Sequence, residues 1–264
     1  MPRTARRRDR FREWLVSVEQ AWIGWSLAPP ARVLAAEAWC PDAPATYCHR
    51  CGGSVGAGES TPQGCGSCRG HTICTDRVVR LGAYRGPIRT WVRAIKYRGW
   101  AEMAVSLGQR LGLALAAALS DDDGFDAHRT VIVPMPMPWQ RRLYRGIDHA
   151  RLIADGAARV LRVPVRQWLA VSNGPPQVSL SSAGRRARRG VRMRLRPAAA
   201  AGGRLPDVLV LLVDDVRTSG GSLDAAARLL RRLGPRQVVA GVLAVTDDPS
   251  RRDGAILPSL TQGR

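Results

Sequence analysis

The chain has 264 residues and carries 41 Lys plus Arg against 21 Asp plus Glu, a formal net charge of +20. That length admits one medium domain and a small one, and an apolar content of 45% is ordinary for a packed core. The longest apolar run, Leu111 to Leu119, is far short of the roughly 18 residues of a membrane span, and no apolar segment with a cleavage site follows the basic start MPRTARRRDRFREW, so no signal peptide or membrane span and a cytoplasmic location are expected.

Residues 1–39 read as a basic amphipathic N-terminal arm. Phe11, Leu15, Val18, Trp22 and Trp25 recur at three- or four-residue steps, as on one face of a helix. Packing onto the rest of the protein is the expected use, with binding to a membrane surface the alternative for a basic, Trp-bearing helix.

Residues 40–76 hold all six cysteines. Cys48 and Cys51 form one CxxC pair, Cys65 and Cys68 another, with 13 residues between the pairs. Two such knuckles can place four thiolates tetrahedrally about Zn²⁺. Gly52, Gly53 and Gly66 allow the tight turns that knuckles need. A closed, structural zinc-ribbon-like module is expected. Disulfides are disfavoured in a cytosolic protein, and neither pair opens a helix as a redox CxxC would. Cys40, Cys74, His49 and His71 are left outside the ligand set.

From residue 77 to the end the pattern is α/β. VVRLGAY reads as a strand, then Thr90 to Tyr97 and Ala101 to Leu119 as helices. Thr130 to Val133 is a buried strand that prolines at 134, 136 and 138 stop. Arg141, Arg142 and Arg145 crowd the following loop, and guanidinium forks of this kind suit a diphosphate. Asp148 to Leu161 is a helix, and Asp148 is placed to cap it. AAAAGG at 198–203 reads as a short linker. Val208 to Val213 and Gln237 to Val245 are further strands with a helix between them. Alternating strands and helices imply a mostly parallel sheet, with ligands at the carboxyl ends of its strands.

The most informative stretch is Val210 to Leu223, VLLVDDVRTSGGSL. An apolar strand ends in adjacent carboxylates, Asp214 and Asp215. A small hydroxyl- and glycine-rich loop follows, and Leu223, Ala226, Leu229, Leu230 and Leu233 recur behind it at helical spacing. Loop N–H groups and a helix N-terminus face an anion, while paired carboxylates accept hydrogen bonds from vicinal hydroxyls. A Walker-type loop is excluded, since no Gly-Lys-Ser/Thr follows.

This stretch resembles the 13-residue signature of the type I phosphoribosyltransferases. The resemblance implies that Asp214 and Asp215 hold the ribose hydroxyls of phosphoribosyl pyrophosphate. It also implies that Thr218, Ser219, Gly220, Gly221 and Ser222 hold its 5′-phosphate. From about Cys40 onward the chain is similar to the ComF family, phosphoribosyltransferase-like proteins associated with bacterial competence. The shared features are the cysteine module, AIKYRG at 94–99, a VPxP strand with an RG-plus-helix segment, a Gln-x-x-Leu…Arg stretch at Gln177, Leu180 and Arg185, and VDDV.

The implied fold is a type I phosphoribosyltransferase-like parallel sheet flanked by helices, with the small four-cysteine zinc module in front of it as a hood. Lys96 falls at the family's lysine position. Arg185 falls in its mobile loop over the diphosphate, where Arg141, Arg145 and Arg185 would offset the leaving charge. The chain departs from the family at Ile147-Asp148-His149, where RG-[FY]-N-Q is usual, and at Arg188 and Met193, which bears on the second substrate.

Two functions follow from the resemblance. One is an enzyme that binds phosphoribosyl pyrophosphate with Mg²⁺ and transfers the phosphoribosyl group to an unknown nitrogen acceptor with release of diphosphate. Asp214, Asp215, Arg145 and Arg185 are its candidate catalytic residues. Only His149 offers itself as a general base. The other is a module with little or no turnover that acts in DNA uptake through single-stranded DNA or partner proteins, using the basic arm, the zinc module and the Arg185–Arg196 run. The charge alone is a poor guide here. Of the 41 basic residues 40 are Arg, which suggests a coding bias spread over the whole chain as much as a nucleic-acid surface.

Overall fold

The computed structural model describes residues 28–120, 125–171, 193–200 and 203–247. The chain divides into two compact units, Met1–Trp39 and Cys40–Arg264. In the first, the described part is helix α1 (Pro30–Ala36), started by Pro29 and Pro30 and closed at Glu37. Proline suits a first turn because its fixed φ is already helical and the missing N–H has no partner there. The amphipathic arm at Phe11–Trp25 lies outside the described residues.

The second unit is built on a four-stranded sheet in the order β1-β6-β5-β2, every pair parallel. Its strands are β1 (Arg77–Ala83), β2 (Thr130–Pro134), β5 (Leu209–Arg217) and β6 (Gln237–Val245). They are near-continuous Val/Leu/Ile/Ala runs because both faces are covered, as a parallel sheet requires. Helices α2 (Gly86–Arg98), α3 (Ala101–Ser120), α5 (His149–Leu161) and α7 (Gly221–Arg231) connect and cover them. A two-stranded antiparallel ladder, β3 (Leu169–Val171) with β4 (Met193–Leu195), stands apart from the main sheet.

Helix α3 has the length and composition of a membrane span. Here it is a core element, with Met103, Leu107, Leu111 and Leu115 fully buried. It lies very close to α5. A Cβ on Gly108 would run into the Ile153 carbonyl, and one on Gly156 into the Val105 carbonyl. Glycines on the facing sides of both helices let the two backbones touch.

The cysteine segment runs along the free edge of β1. Val78 N donates to His49 O at 2.6 Å, and Asp42 N donates to Leu81 O at 2.8 Å. From β1, Arg80 reaches into this segment with its side chain only 1% exposed. Its Nη1 donates to Gly52 O at 2.7 Å, and its Nη2 donates to Asp42 Oδ2 at 2.7 Å and Ser54 Oγ at 3.0 Å. Ser54 in turn donates through N and Oγ to Asp247, at 2.8 and 2.9 Å. One buried guanidinium thereby binds the cysteine segment to β1 and to Asp247, two residues beyond the end of β6.

Three local expectations need correction. Strand β5 does not end at the acidic pair but runs through it to Arg217, because β6 continues to pair beyond it. The arginines after Pro138 lie in a short helix, α4 (Trp139–Arg145), rather than a loop. The alanines at 198–200 belong to a further short helix, α6 (Pro197–Ala200). Gln177, Leu180, Arg185 and Arg188 lie outside the described residues.

Candidate functional site

The carboxyl ends of β2 and β5 are neighbours. Pro134 pairs with Val213 in register, and Met135 N donates to Val213 O at 2.8 Å. This pairing brings the proline-rich exit of β2 beside Asp214. Proline has no N–H for a ladder, so the chain turns away here and leaves a hollow. The cavity is about 170 Å³ and is lined by Lys96, Arg141, Arg145, His149, Asp214, Asp215 and Ser222, with Met135 to Pro138 along one wall. Six residues expected at the site from the sequence therefore share one space: Asp214, Asp215, Lys96, Arg141, Arg145 and Ser222.

Successive side chains on a strand point to opposite faces, and the two acids have different surroundings. Asp215 is buried. Lys96 Nζ from α2 lies 3.0 Å from its Oδ1, and His149 Nε2 from the first turn of α5 lies 2.6 Å from its Oδ2. Burial alone would raise the Asp215 pKa, but the hydrogen bonds and charges of His149 and Lys96 outweigh it and hold the carboxyl below the ordinary range. Asp214 accepts a hydrogen bond from the N–H of Asp215, at 2.8 Å. Burial first, and the Asp215 charge second, push it up to about 8. One site thus holds an ionised acid and a neutral one, the separation expected when two carboxyls share a low-dielectric space.

Helix α5 starts at Asp148, whose Oδ1 accepts from Arg151 N at 3.1 Å, so the expected cap is present. That cap fixes His149 as the first helical residue and thereby aims its ring at β5. Lys96 sits in the last turn of α2, which closes at Gly99 in the left-handed region, φ 66°. The ring of Tyr97 beside it carries the Arg145 guanidinium 5.8 Å from its centre.

The signature loop turns at Gly220, φ 83°, which is the N-cap of α7. The Arg217 guanidinium folds over this glycine so closely that a Cβ there would collide with it. Thr218, Ser219 and Gly221 line a second cavity, of about 710 Å³, together with Arg217, Arg228, Thr246 and residues of the cysteine segment, including Ser54 and His71. The loop therefore borders two hollows, one rich in cations at β2 and one roofed by the cysteine segment.

Cys48, Cys51, Cys65 and Cys68 converge as their spacing predicts. Their sulfurs are 3.7 Å (Cys48–Cys68), 3.6 Å (Cys51–Cys65) and 3.9 Å (Cys65–Cys68) apart. A disulfide needs about 2.05 Å, whereas four sulfurs about 2.3 Å from a tetrahedral metal lie about 3.8 Å from one another. These dimensions fit a metal and not disulfides, and all six cysteines are free thiols. Burial raises the Cys51 thiol. At Cys48 burial acts in the same sense but is outweighed by the N–H groups of Cys51 and Arg50, which bring it down to about 6. Cys40 is exposed, and Cys74 N donates to Asp224 Oδ1 at 2.9 Å, so both stand outside the cluster.

The sequence pointed to Lys96 but not to its partner. The ion pair joins residues far apart in sequence, and no local pattern announces it. The loop roles given to Thr218 and Ser219 likewise hid the position of Arg217.

Residues 148–255 match the phosphoribosyl transferase domain family. The chain is 28% identical over 210 residues to competence protein F of Haemophilus influenzae, a stretch covering 75% of this chain and 84% of that one. Among solved structures it is similar to a purine phosphoribosyltransferase from Pyrococcus horikoshii, with 19% identity, TM-score 0.33, and 52% of this chain and 72% of the other covered. It is also similar to a hypoxanthine phosphoribosyltransferase from Staphylococcus aureus, with 16% identity, TM-score 0.32, and 58% and 70% covered. In its cysteine cluster, its parallel α/β sheet and its VDDV strand the chain is similar to competence protein F, and its residues 148–255 match the phosphoribosyl transferase domain family.

Proposed function

We propose that this protein binds phosphoribosyl pyrophosphate and transfers its phosphoribosyl group to a nitrogen nucleophile, releasing diphosphate. The observation that carries the reading is the shared cavity of Asp214, Asp215, Lys96, Arg141, Arg145 and Ser222. Diphosphate lies on the side of Arg141 and Arg145. The ribose hydroxyls hydrogen-bond to Asp214 and Asp215. The 5′-phosphate is held by the N–H and hydroxyl groups of the loop from Thr218 to Ser222, at the start of α7. Mg²⁺ arriving with the substrate would add positive charge to that of Arg141 and Arg145 against the departing diphosphate. Catalysis is then mostly positioning and charge stabilisation of an oxocarbenium-like transition state, and Arg185 adds a further cation to the departing diphosphate.

The cysteine cluster holds a structural Zn²⁺, and residues 40–76 act as the hood over the loop, with residues 1–39 an accessory arm and residues 77–264 the catalytic domain of a cytoplasmic protein. Titration calorimetry with phosphoribosyl pyrophosphate and MgCl₂ tests the central reading. The wild type should bind, and the folded D214N/D215N double variant should not. Native affinity in that variant would remove the assignment.

A second reading, a module that handles single-stranded DNA, draws on the exposed face beside the same cavity. Tyr97, Leu143 and Tyr144 are strongly exposed, and Arg141 and Arg145 belong to the same helix as the last two. Aromatic rings among cations are the usual platform for unpaired bases. DNA binding that weakens steeply with salt, with no diphosphate release from phosphoribosyl pyrophosphate in the presence of any acceptor, would favour this reading over the enzyme.

A further inference from the structure

His149 carries an atom that the reading above leaves unused. Its side chain is 8% exposed, and Nε2 is engaged by Asp215 at 2.6 Å. The other ring nitrogen, Nδ1, is fully buried and has no hydrogen-bond partner among the described residues. A buried polar atom without a partner costs stability, and proteins keep such atoms where a ligand completes them. His149 lines the same cavity as Lys96, Arg141 and Arg145, the three cations placed to meet an anion. The groups facing the ring are Lys96 on α2, Asp214 and Asp215 on β5, and Arg141 and Arg145 on α4.

We infer that His149 is a catalytic residue whose Nδ1–H donates to the departing diphosphate, while Asp215 holds Nε2–H and fixes the ring. The inference rests on the reading of this cavity as a phosphoribosyl pyrophosphate site. The arrangement is a carboxylate-oriented imidazole turned toward a leaving group. The bond between the anomeric carbon and the diphosphate oxygen breaks, and its electron pair stays on that oxygen. The Nδ1 proton passes to the oxygen or hydrogen-bonds to it. The acceptor nitrogen forms the new bond to carbon and loses its own proton to solvent, from which His149 is reprotonated. Asp215 stays ionised throughout. The role also accounts for a histidine at the position where the family's usual RG-[FY]-N-Q pattern has glutamine. A neutral amide can bridge Asp215 to a phosphate oxygen but cannot give up a proton.

The test uses the full-length protein labelled with ¹⁵N-histidine. The chain has four histidines, so His149 can be assigned by its disappearance in H149Q, or by elimination with H49Q, H71Q and H128Q if H149Q does not fold. On adding inorganic diphosphate and MgCl₂, the His149 Nδ1 resonance should move, and H149A, which has no side-chain donor, should bind diphosphate at least tenfold more weakly, the loss of one charge-assisted hydrogen bond. A purely structural histidine would leave Nδ1 unmoved. An unmoved resonance in a wild type that binds diphosphate and phosphoribosyl pyrophosphate overturns the inference and leaves the underlying reading standing. A wild type that binds neither overturns both.

Discussion

Lys96 Nζ stands 3.0 Å from Asp215 Oδ1 and joins the last turn of α2 to the middle of the signature strand. Lys96 is the chain's single lysine among 40 arginines. A compact ammonium on a flexible stem reaches a buried carboxylate as a point charge, whereas a guanidinium needs room for its planar fork. Removing it in K96M leaves Asp215 with His149 alone. A broken buried pair costs about 3 kcal/mol, so urea denaturation should show a loss of that order, and calorimetry should show weaker binding of phosphoribosyl pyrophosphate. K96R should recover only part of both, because the fork does not fit. Full recovery would show that charge alone matters.

Asp214 and Asp215 give opposite pH dependence. The Asp214 pKa is raised from the ordinary carboxylate value to about 8 by burial and by the Asp215 charge, so between those values the folded state binds more protons than the unfolded one. The ligand-free protein therefore loses stability as pH rises from about 4 to 8. D214N removes the titration, and it should stabilise the ligand-free protein by on the order of 2 kcal/mol at pH 8 and change little at pH 5. Asp215, held low by His149 and Lys96 against the opposing effect of burial, contributes stability that is present above about pH 4 and is lost as pH falls through its lowered folded value. D215N should flatten that acid limb. Urea midpoints across pH for both variants check the two signs.

Arg80 decides whether the cysteine segment stays on the sheet. Its guanidinium satisfies Gly52 O, Asp42 and Ser54 at once, so R80M leaves a buried carbonyl unpaired and Asp42 without its cation. A cost of about 3 to 4 kcal/mol is expected, seen as a large fall in Tm.

The thiol cluster should carry one zinc ion per chain by elemental analysis. C48S should lose the metal, and a strong chelator should destabilise the wild type but not that variant, because metal binding to four thiolates contributes folding free energy. Full stability of C48S without metal would count against a structural ion.

The α3–α5 contact tolerates no added atom. G108A and G156A each drive a methyl into a facing backbone carbonyl, which cannot move as a side-chain end can. Each should cost about 2 to 3 kcal/mol despite the better helix propensity of alanine. A neutral or stabilising result would show that the helices can separate cheaply.

Local chemistry made much of this protein legible from its residues. The buried strands declare themselves as apolar runs, the Asp148 cap and the cysteine knuckles by spacing, and the signature by the fixed order of strand, acids, loop and helix. These are short-range properties, in which each residue's role depends on neighbours a few positions away. Tertiary structure decided the rest. Only the pairing of β2 with β5 sets Pro134 beside Asp214, and only the meeting of α2, β5 and α5 gives Asp215 both Lys96 and His149 as partners while burial pushes Asp214 up. The strand length at the acids was misread because β6, about 30 residues further on, supplies the pairing that extends it to Arg217. Burial and charge contacts of this kind join residues distant along the chain, and their energies exist only once the fold has brought those residues together.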